Sequence, residues 1–250
     1  MKRFYLTAIF LVVSCLGVFA DDFNKANAFY ANGKYSEALV TYKKIVDSGK
    51  ESAALYFNMG NAYFKSDSLA HSIYYYEKAL KLDPSDEDIH RNLDLARGRI
   101  TDKIEPLPQM VFTSWWNHYL TLWNANTWSM LSIAAFFASA LLFFFFLRAF
   151  LPSRRRLFFW SGTCMLLLAG WITFSAARAG DYFYNPANAK AVVFGQSVNV
   201  SSTPSQDGTV LFVIHEGTTV RIQDESAGWY RIRLENGNSG WILAREIRII

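Results

Sequence analysis

Two stretches without a single charged residue, Trp128 to Leu147 and Leu157 to Ala177, constrain this chain more than any other feature. They run for 20 and 21 residues, and a hydrocarbon core of about 30 Å needs about 20 helical residues. Phe143-Phe144-Phe145-Phe146 in the first and Met165-Leu166-Leu167-Leu168 in the second leave each helix apolar on every side, which suits lipid better than a soluble core. Residues 148–156 between them carry four Arg and no acid. Short loops rich in Lys and Arg stay in the cytoplasm, so the chain before and after the two spans is expected outside.

The N-terminus gives an independent argument for the same topology. Lys2 and Arg3 precede an apolar stretch from Phe4 to Phe19, and Val18-Phe19-Ala20 places small residues at −3 and −1 before Asp21. That is the layout of a secretory signal over residues 1–20. An uncleaved anchor is an alternative that leaves the remaining topology unchanged. A lipoprotein signal is another, because Val12-Val13-Ser14-Cys15 resembles a lipobox, although the apolar run continues past Cys15. The expected localisation is the bacterial inner (cytoplasmic) membrane, crossed twice, with both soluble domains in the periplasm. The other cysteine, Cys164, lies inside the second span, so no soluble pair is available for a disulfide.

Charge is distributed to match. Residues 21–105 hold 12 basic and 14 acidic side chains, and residues 181–250 hold 6 and 7. The net charge of +4 therefore comes from the signal-like start and from residues 106–180, which carry five Arg and no acid. Neither polar region is basic, which argues against nucleic acid as a partner. Trp115, Trp116, Tyr119, Trp123 and Trp128 crowd the approach to the first span. Amphipathic rings favour the membrane–water boundary, so residues 106–127 read as a linker and an interfacial segment, with a partner-binding patch as the other reading.

Residues 21–105 repeat themselves at an offset of 34. Gly33-Lys34-Tyr35, Ala38, Tyr42 and Ile45 lie over Asp67-Ser68-Leu69, Ser72, Tyr76 and Ala79, and Phe29 lies over Tyr63. Small residues (Ala26, Ala38, Gly60, Ala79) stand where paired helices would cross closely, and aromatic ones fill the space between. The pattern resembles the tetratricopeptide repeat (TPR). Departures are Asp67 where Gly is usual, Ser72 where Ala is usual and Lys50 where Pro is usual. Two repeats cannot bury a continuous core alone, so the segment after Ser85-Asp86-Glu87-Asp88, with Ile89, Leu93, Ala96 and Ile100, is expected to form a closing helix with its acids at the N-terminal turn. The resemblance implies a peptide-binding concave face made by the first helix of each repeat. Asn27, Tyr30, Phe57, Asn58, Asn61 and Phe64 fall on it. A carboxylate clamp is not expected, because Phe23, Asp88 and Asn92 stand where its cations would be.

From Lys190 the texture changes to short β-rich runs between glycines. Ala191-Val192-Val193, Val198-Asn199-Val200, Thr218 to Gln223, Trp229 to Leu234 and Gly240-Trp241-Ile242 read as five or so strands. Tyr230, Ile232 and Leu234 share one face, and Glu235-Asn236-Gly237 marks a hairpin. Glu216-Gly217-Thr218, Gly228-Trp229-Tyr230-Arg231-Ile232 and Gly240-Trp241-Ile242 resemble bacterial SH3-like (SH3b) domains. That resemblance implies a small barrel over residues 190–250 that binds proteins or cell-wall peptides. Trp229 and Trp241 are then either groove-lining or core residues.

No catalytic motif is present, and His71, His90, His118 and His215 are dispersed without a ligand-spaced neighbour. The expectation is a non-enzyme with no cofactor and no metal. The expected fold class is a multidomain membrane protein: an all-α TPR solenoid over 21–105, a two-helix transmembrane hairpin at 128–147 and 157–177, a linker at 178–189, and a small all-β SH3-like barrel. This order resembles BatE-type proteins of the Bacteroides aerotolerance operon, through Asn92-Leu93-Asp94-Leu95-Ala96 and Asp102-Lys103-Ile104-Glu105-Pro106 at the join. That resemblance implies a membrane-bound assembly acting in envelope stress or oxygen tolerance. Its partners would be periplasmic or membrane proteins, including von Willebrand factor A-domain proteins encoded nearby. The alternative function is a cell-wall tether, whose SH3b domain binds peptidoglycan while the TPR recruits a wall enzyme.

Overall fold

The computed structural model describes residues 21–108, 110–185 and 189–250. The signal over residues 1–20, with its cleavage and lipobox readings, lies outside the described residues. The chain divides into two compact units. One joins the helical N-terminal region, through residue 107, to residues 190–250; the other holds residues 108–189 and the short segment 83–85.

The helical half of the first unit contains α1 (residues 21–31), α2 (Tyr35–Asp47), α3 (Ala53–Lys65), α4 (Leu69–Leu82) and α5 (Glu87–Arg97). Side-chain caps set two of the starts. Ser52 accepts from the Leu55 N–H, and Asp86 accepts from the N–H groups of Asp88 and Ile89, satisfying donors that the first turn leaves free. The acidic run thus begins the closing helix, as its composition predicted. Ala26, Ala38, Tyr42, Tyr56, Ile73, Tyr76 and Leu93 form the buried centre. Helices α3 and α4 cross so closely that a Cβ added at Gly60 would stand 2.5 Å from the Tyr76 ring. Asp67 occupies the repeat position of Gly33. It adopts the left-handed conformation at φ 58°, and its carboxylate accepts from Arg99 at 2.6 Å.

The second half is a seven-stranded antiparallel sheet: β1 (Lys190–Val193), β2 (Ser197–Ser201), β3 (Val210–His215), β4 (Thr219–Ser226), β5 (Trp229–Arg233), β6 (Ser239–Leu243) and β7 (Ile247–Ile249). Its order is β3-β2-β6-β5-β4-β1-β7. The expected barrel is corrected here: the sheet is open, because β3 bonds only to β2 and β7 only to β1. Alternation in a sequence marks which side of a strand is buried; it does not say whether the first and last strands meet. Val193, Val198, Val200, Ile214, Val220, Ile232, Leu234 and Ile242 fill one face. Bulges at Val200/Ser201 and Ile222/Asp224 bend the strands around it. The run Leu211-Phe212-Val213-Ile214, which does not alternate and so carries no strand signal of its own, forms β3.

The helical repeat and the sheet share a core. Val192 of β1 is fully buried among the helical side chains, with Phe194 and Ile250 packed beside it. Above them Glu77 of α4, only 3% exposed, pairs with Lys190 at 2.9 Å and with Arg97. After α5, Asp102 accepts from the His215 N–H at 2.7 Å, from His215 Nδ1 at 2.7 Å and from the Thr218 hydroxyl at 2.6 Å. His71 stacks on Tyr63 and meets the edge of Phe194, whose face is covered by Arg248. Gly217 leaves room for Ile100, whose Cγ2 would lie 2.6 Å from an added Cβ.

The second unit contains α6 (Val111–Leu120), α7 (Ala125–Arg148) and α8 (Pro152–Tyr184). Helices α7 and α8 are long and apolar enough to cross a membrane, at 24 and 33 residues. They meet through small and hydroxyl residues: the Ser139 hydroxyl donates to the Gly162 carbonyl at 3.0 Å, and Ser132 meets Thr173 at 2.7 Å. The expected nine-residue connection shrinks to residues 149–151, because Arg154, Arg155 and Arg156 fold into the first turns of α8 behind Pro152. Pro at the first helical position starts a helix readily, and Arg does not oppose one. Within the aromatic segment, Trp128 is buried and donates to the Leu120 carbonyl at 3.1 Å. Trp115 and Trp123 remain exposed.

The junction makes stability depend on acid. Burial pushes the Glu77 carboxyl up, but Lys190 and Arg97 outweigh it and hold the group below its ordinary range. Burial also pushes Asp102 up, and hydrogen bonds from Thr218 and His215 reverse that too. Both carboxylates are therefore lower in the folded chain than in the unfolded one. Their contribution is complete above the ordinary carboxylate range and is lost as pH falls through the folded values. Thermal melts of the full chain in detergent should show this decline below about pH 4. Lys190→Ala should remove about 2 kcal/mol at neutral pH, with Lys190→Arg retaining most of it. Gly60→Val should cost on the order of 1–3 kcal/mol by overpacking against Tyr76.

Candidate partner-binding site

Helices α1, α3 and α5 occupy equivalent places in successive repeat units, and an asparagine ladder runs across them. Asn58 Nδ2 donates to Asn27 Oδ1 at 2.9 Å, and 34 residues later Asn92 Nδ2 donates to Asn61 Oδ1 at 2.8 Å. The same oxygens accept from the hydroxyls of Tyr42, at 2.6 Å, and Tyr76, at 2.7 Å. Both tyrosines are buried residues of the second helices, α2 and α4. Burial first, and the neighbouring Tyr30 to a lesser degree, push both phenols up to about 12. They stay protonated and donate at any ordinary pH.

The ladder changes what these asparagines do. The sequence places Asn27, Asn58 and Asn61 on the concave face as amides available to a bound backbone. In the fold, the side-chain oxygens of Asn27 and Asn61 are already occupied twice, and they hold neighbouring helices in register. The aromatic members of the face are half-buried: Tyr30 against Tyr35 at 5.4 Å, Phe57 against Tyr76 at 5.9 Å, and Phe64 beneath the Arg99 guanidinium at 5.1 Å. Asn92 and the two ladder tyrosines were not singled out as functional. The 34-residue offset already held the signal, since it carries Asn58 onto Asn92 and Tyr42 onto Tyr76.

Trp229 and Trp241 lie elsewhere, on the sheet. Ile232 and Ile242 point into its core, so alternation turns Trp229 and Trp241 to the opposite face. Trp241 pairs with Arg231, and Trp229 pairs with Leu243. Both indoles are half-buried. The structure therefore offers two separate faces, one helical and one on the sheet.

Comparison with known families divides the chain the same way. Residues 26–67 match a family model described as a TPR repeat, and residues 53–86 match one described as a tetratricopeptide repeat. Residues 196–248 match a model described as a bacterial SH3 domain. No curated protein matches the chain. The chain thus carries TPR repeats and a bacterial SH3 domain, with two apolar helices between them, and these modules point to protein–protein interaction or cell-wall binding.

Because each ladder oxygen serves a buried phenol, Asn27→Ala and Asn61→Ala should each destabilise the first unit by about 1–3 kcal/mol. Asn58→Ala leaves the Tyr42–Asn27 bond in place and should cost less. Denaturant unfolding of the three variants in the full chain gives that ranking, and adding Tyr42→Phe to Asn27→Ala should recover part of the loss.

Proposed function

We propose that this protein is a non-catalytic, membrane-anchored scaffold. Its TPR face and its SH3 sheet are displayed together in the periplasm, where they hold partner proteins of an aerotolerance or envelope-stress complex. The observation that carries this reading is the shared core. Glu77, Arg97 and Asp102 come from before the apolar helices, whereas Lys190, Val192, His215 and Thr218 come from after them. Side chains that are packed together lie on one side of a bilayer, so an even number of crossings separates them. Two crossings by α7 and α8 meet that condition without any appeal to charge. The Arg residues at the turn between α7 and α8, through the preference of such segments for the cytoplasm, favour the periplasm for the packed body.

A scaffold of this kind presents its two faces at a set spacing, since Val192, Glu77 and Asp102 join the sheet to the repeat. Two partners bound together would then gain in affinity from their enforced proximity. The expected partners are periplasmic or membrane proteins, including von Willebrand factor A-domain proteins.

A reporter active only in the periplasm should be active when fused after Leu107 or Ile250, and silent when fused at Ser153. Activity at Ser153 would overturn the placement. Photocrosslinkers at Tyr30 and Phe57 of the full chain in native membranes should then capture discrete proteins. Retention on purified peptidoglycan with no protein captured would replace the scaffold with a wall tether.

A further inference from the structure

The sheet is close to neutral in composition, but its outer face is not. Cross-strand register places Lys190 of β1 opposite Arg221 of β4, and Arg221 opposite Arg233 of β5. These three cations form a row across adjacent strands. Directly opposed like charges destabilise a sheet. Glu77 neutralises Lys190 at one end of the row. Among the described residues, Arg221, Arg231 and Arg233 are in no ion pair, and all three are exposed. Asp224, which pairs with Arg231 in the ladder, is the one acid in these rows. Trp229 and Trp241 share the face, diagonal to each other across β5 and β6.

Arg221 and Arg233, with no acid opposite them, and Arg231, which faces Asp224, stand beside two half-buried indoles and form a surface suited to anionic phosphates at a membrane–water boundary. Guanidinium forks match phosphate oxygens, and indole rings favour the headgroup level. Strand β1 begins six residues after the end of α8, a helix long and apolar enough to span a membrane. We infer that the outer face of β4, β5 and β6 docks on anionic phospholipid headgroups through Arg221, Arg231, Arg233, Trp229 and Trp241. The inference rests on the membrane-anchored part of the proposed function and adds a lipid contact beyond the spans. It narrows the proposed scaffold: the sheet's partner becomes the membrane surface, and the TPR face alone holds protein.

The test uses the full chain in nanodiscs, with both cysteines replaced by Ser. A nitroxide is attached through Ser226→Cys, opposite Trp229 on the same face. In phosphatidylcholine discs containing a third phosphatidylglycerol, its accessibility to a water-soluble nickel chelate should fall at least threefold relative to phosphatidylcholine alone. Half-molar salt should reverse the fall, as screening requires. Arg221→Gln/Arg231→Gln/Arg233→Gln should abolish it, whereas Lys at all three positions should keep most of it. Equal accessibility in the two lipids would overturn the inference. So would an unchanged effect in the Gln variant, or protection in pure phosphatidylcholine on adding soluble polyglutamate, which would assign the face to an acidic protein. The topology reporters report separately on the anchoring, so the two readings can fail independently.

Discussion

The buried carboxylate of Glu77 joins what the chain order separates. It sits on α4 within the repeat, and its counter-ions arrive from α5 and from β1, which lies more than a hundred residues later. A carboxylate at 3% exposure is costly unless paired and hydrogen-bonded. The repeat supplies one counter-ion itself, through Arg97, and the C-terminal strand adds a second. Val192 and Phe194 add apolar burial to that junction, and Asp102 adds polar contacts to His215 and Thr218.

This arrangement turns two modules into one compact unit, with the two long apolar helices inserted between its halves in the sequence. The consequence for function is geometric. The helical face and the outer face of the sheet are presented in a set relation to each other. The asparagine ladder acts in the same direction within the repeat, because each amide oxygen fixes a helix of the next unit and a buried phenol from its own. A helical face built on satisfied polar groups is pre-organised.

Much of this was legible in the residues. The apolar runs are visible because a membrane span needs length and an absence of charge, both local properties. The repeat is visible because stacking identical units imposes a period. The strands around Trp229-Tyr230-Arg231-Ile232 are visible because one side of the sheet is buried. The acidic run at the start of α5 follows from its place before Ile89, Leu93 and Ala96. These features share one reason: each is set by neighbours within a few residues or by a fixed offset.

The tertiary structure decided what depends on distant pairing. Nothing adjacent to Glu77 reveals that its partner is Lys190, and nothing in Trp229 to Leu234 tells that the sheet stays open between β3 and β7. The non-alternating β3 gained its identity only from pairing with β2. The asparagines looked like ligands for a partner because their faces follow from helical spacing, whereas their occupancy by Tyr42 and Tyr76 depends on how close the second helices come. The sequence by itself determined the kinds of element, their order and the faces they bury, since those follow from local periodicity and from transfer out of water. Only the tertiary structure decided which buried charges meet and that the repeat and the sheet form one body, because such contacts depend on three-dimensional proximity that no local pattern encodes.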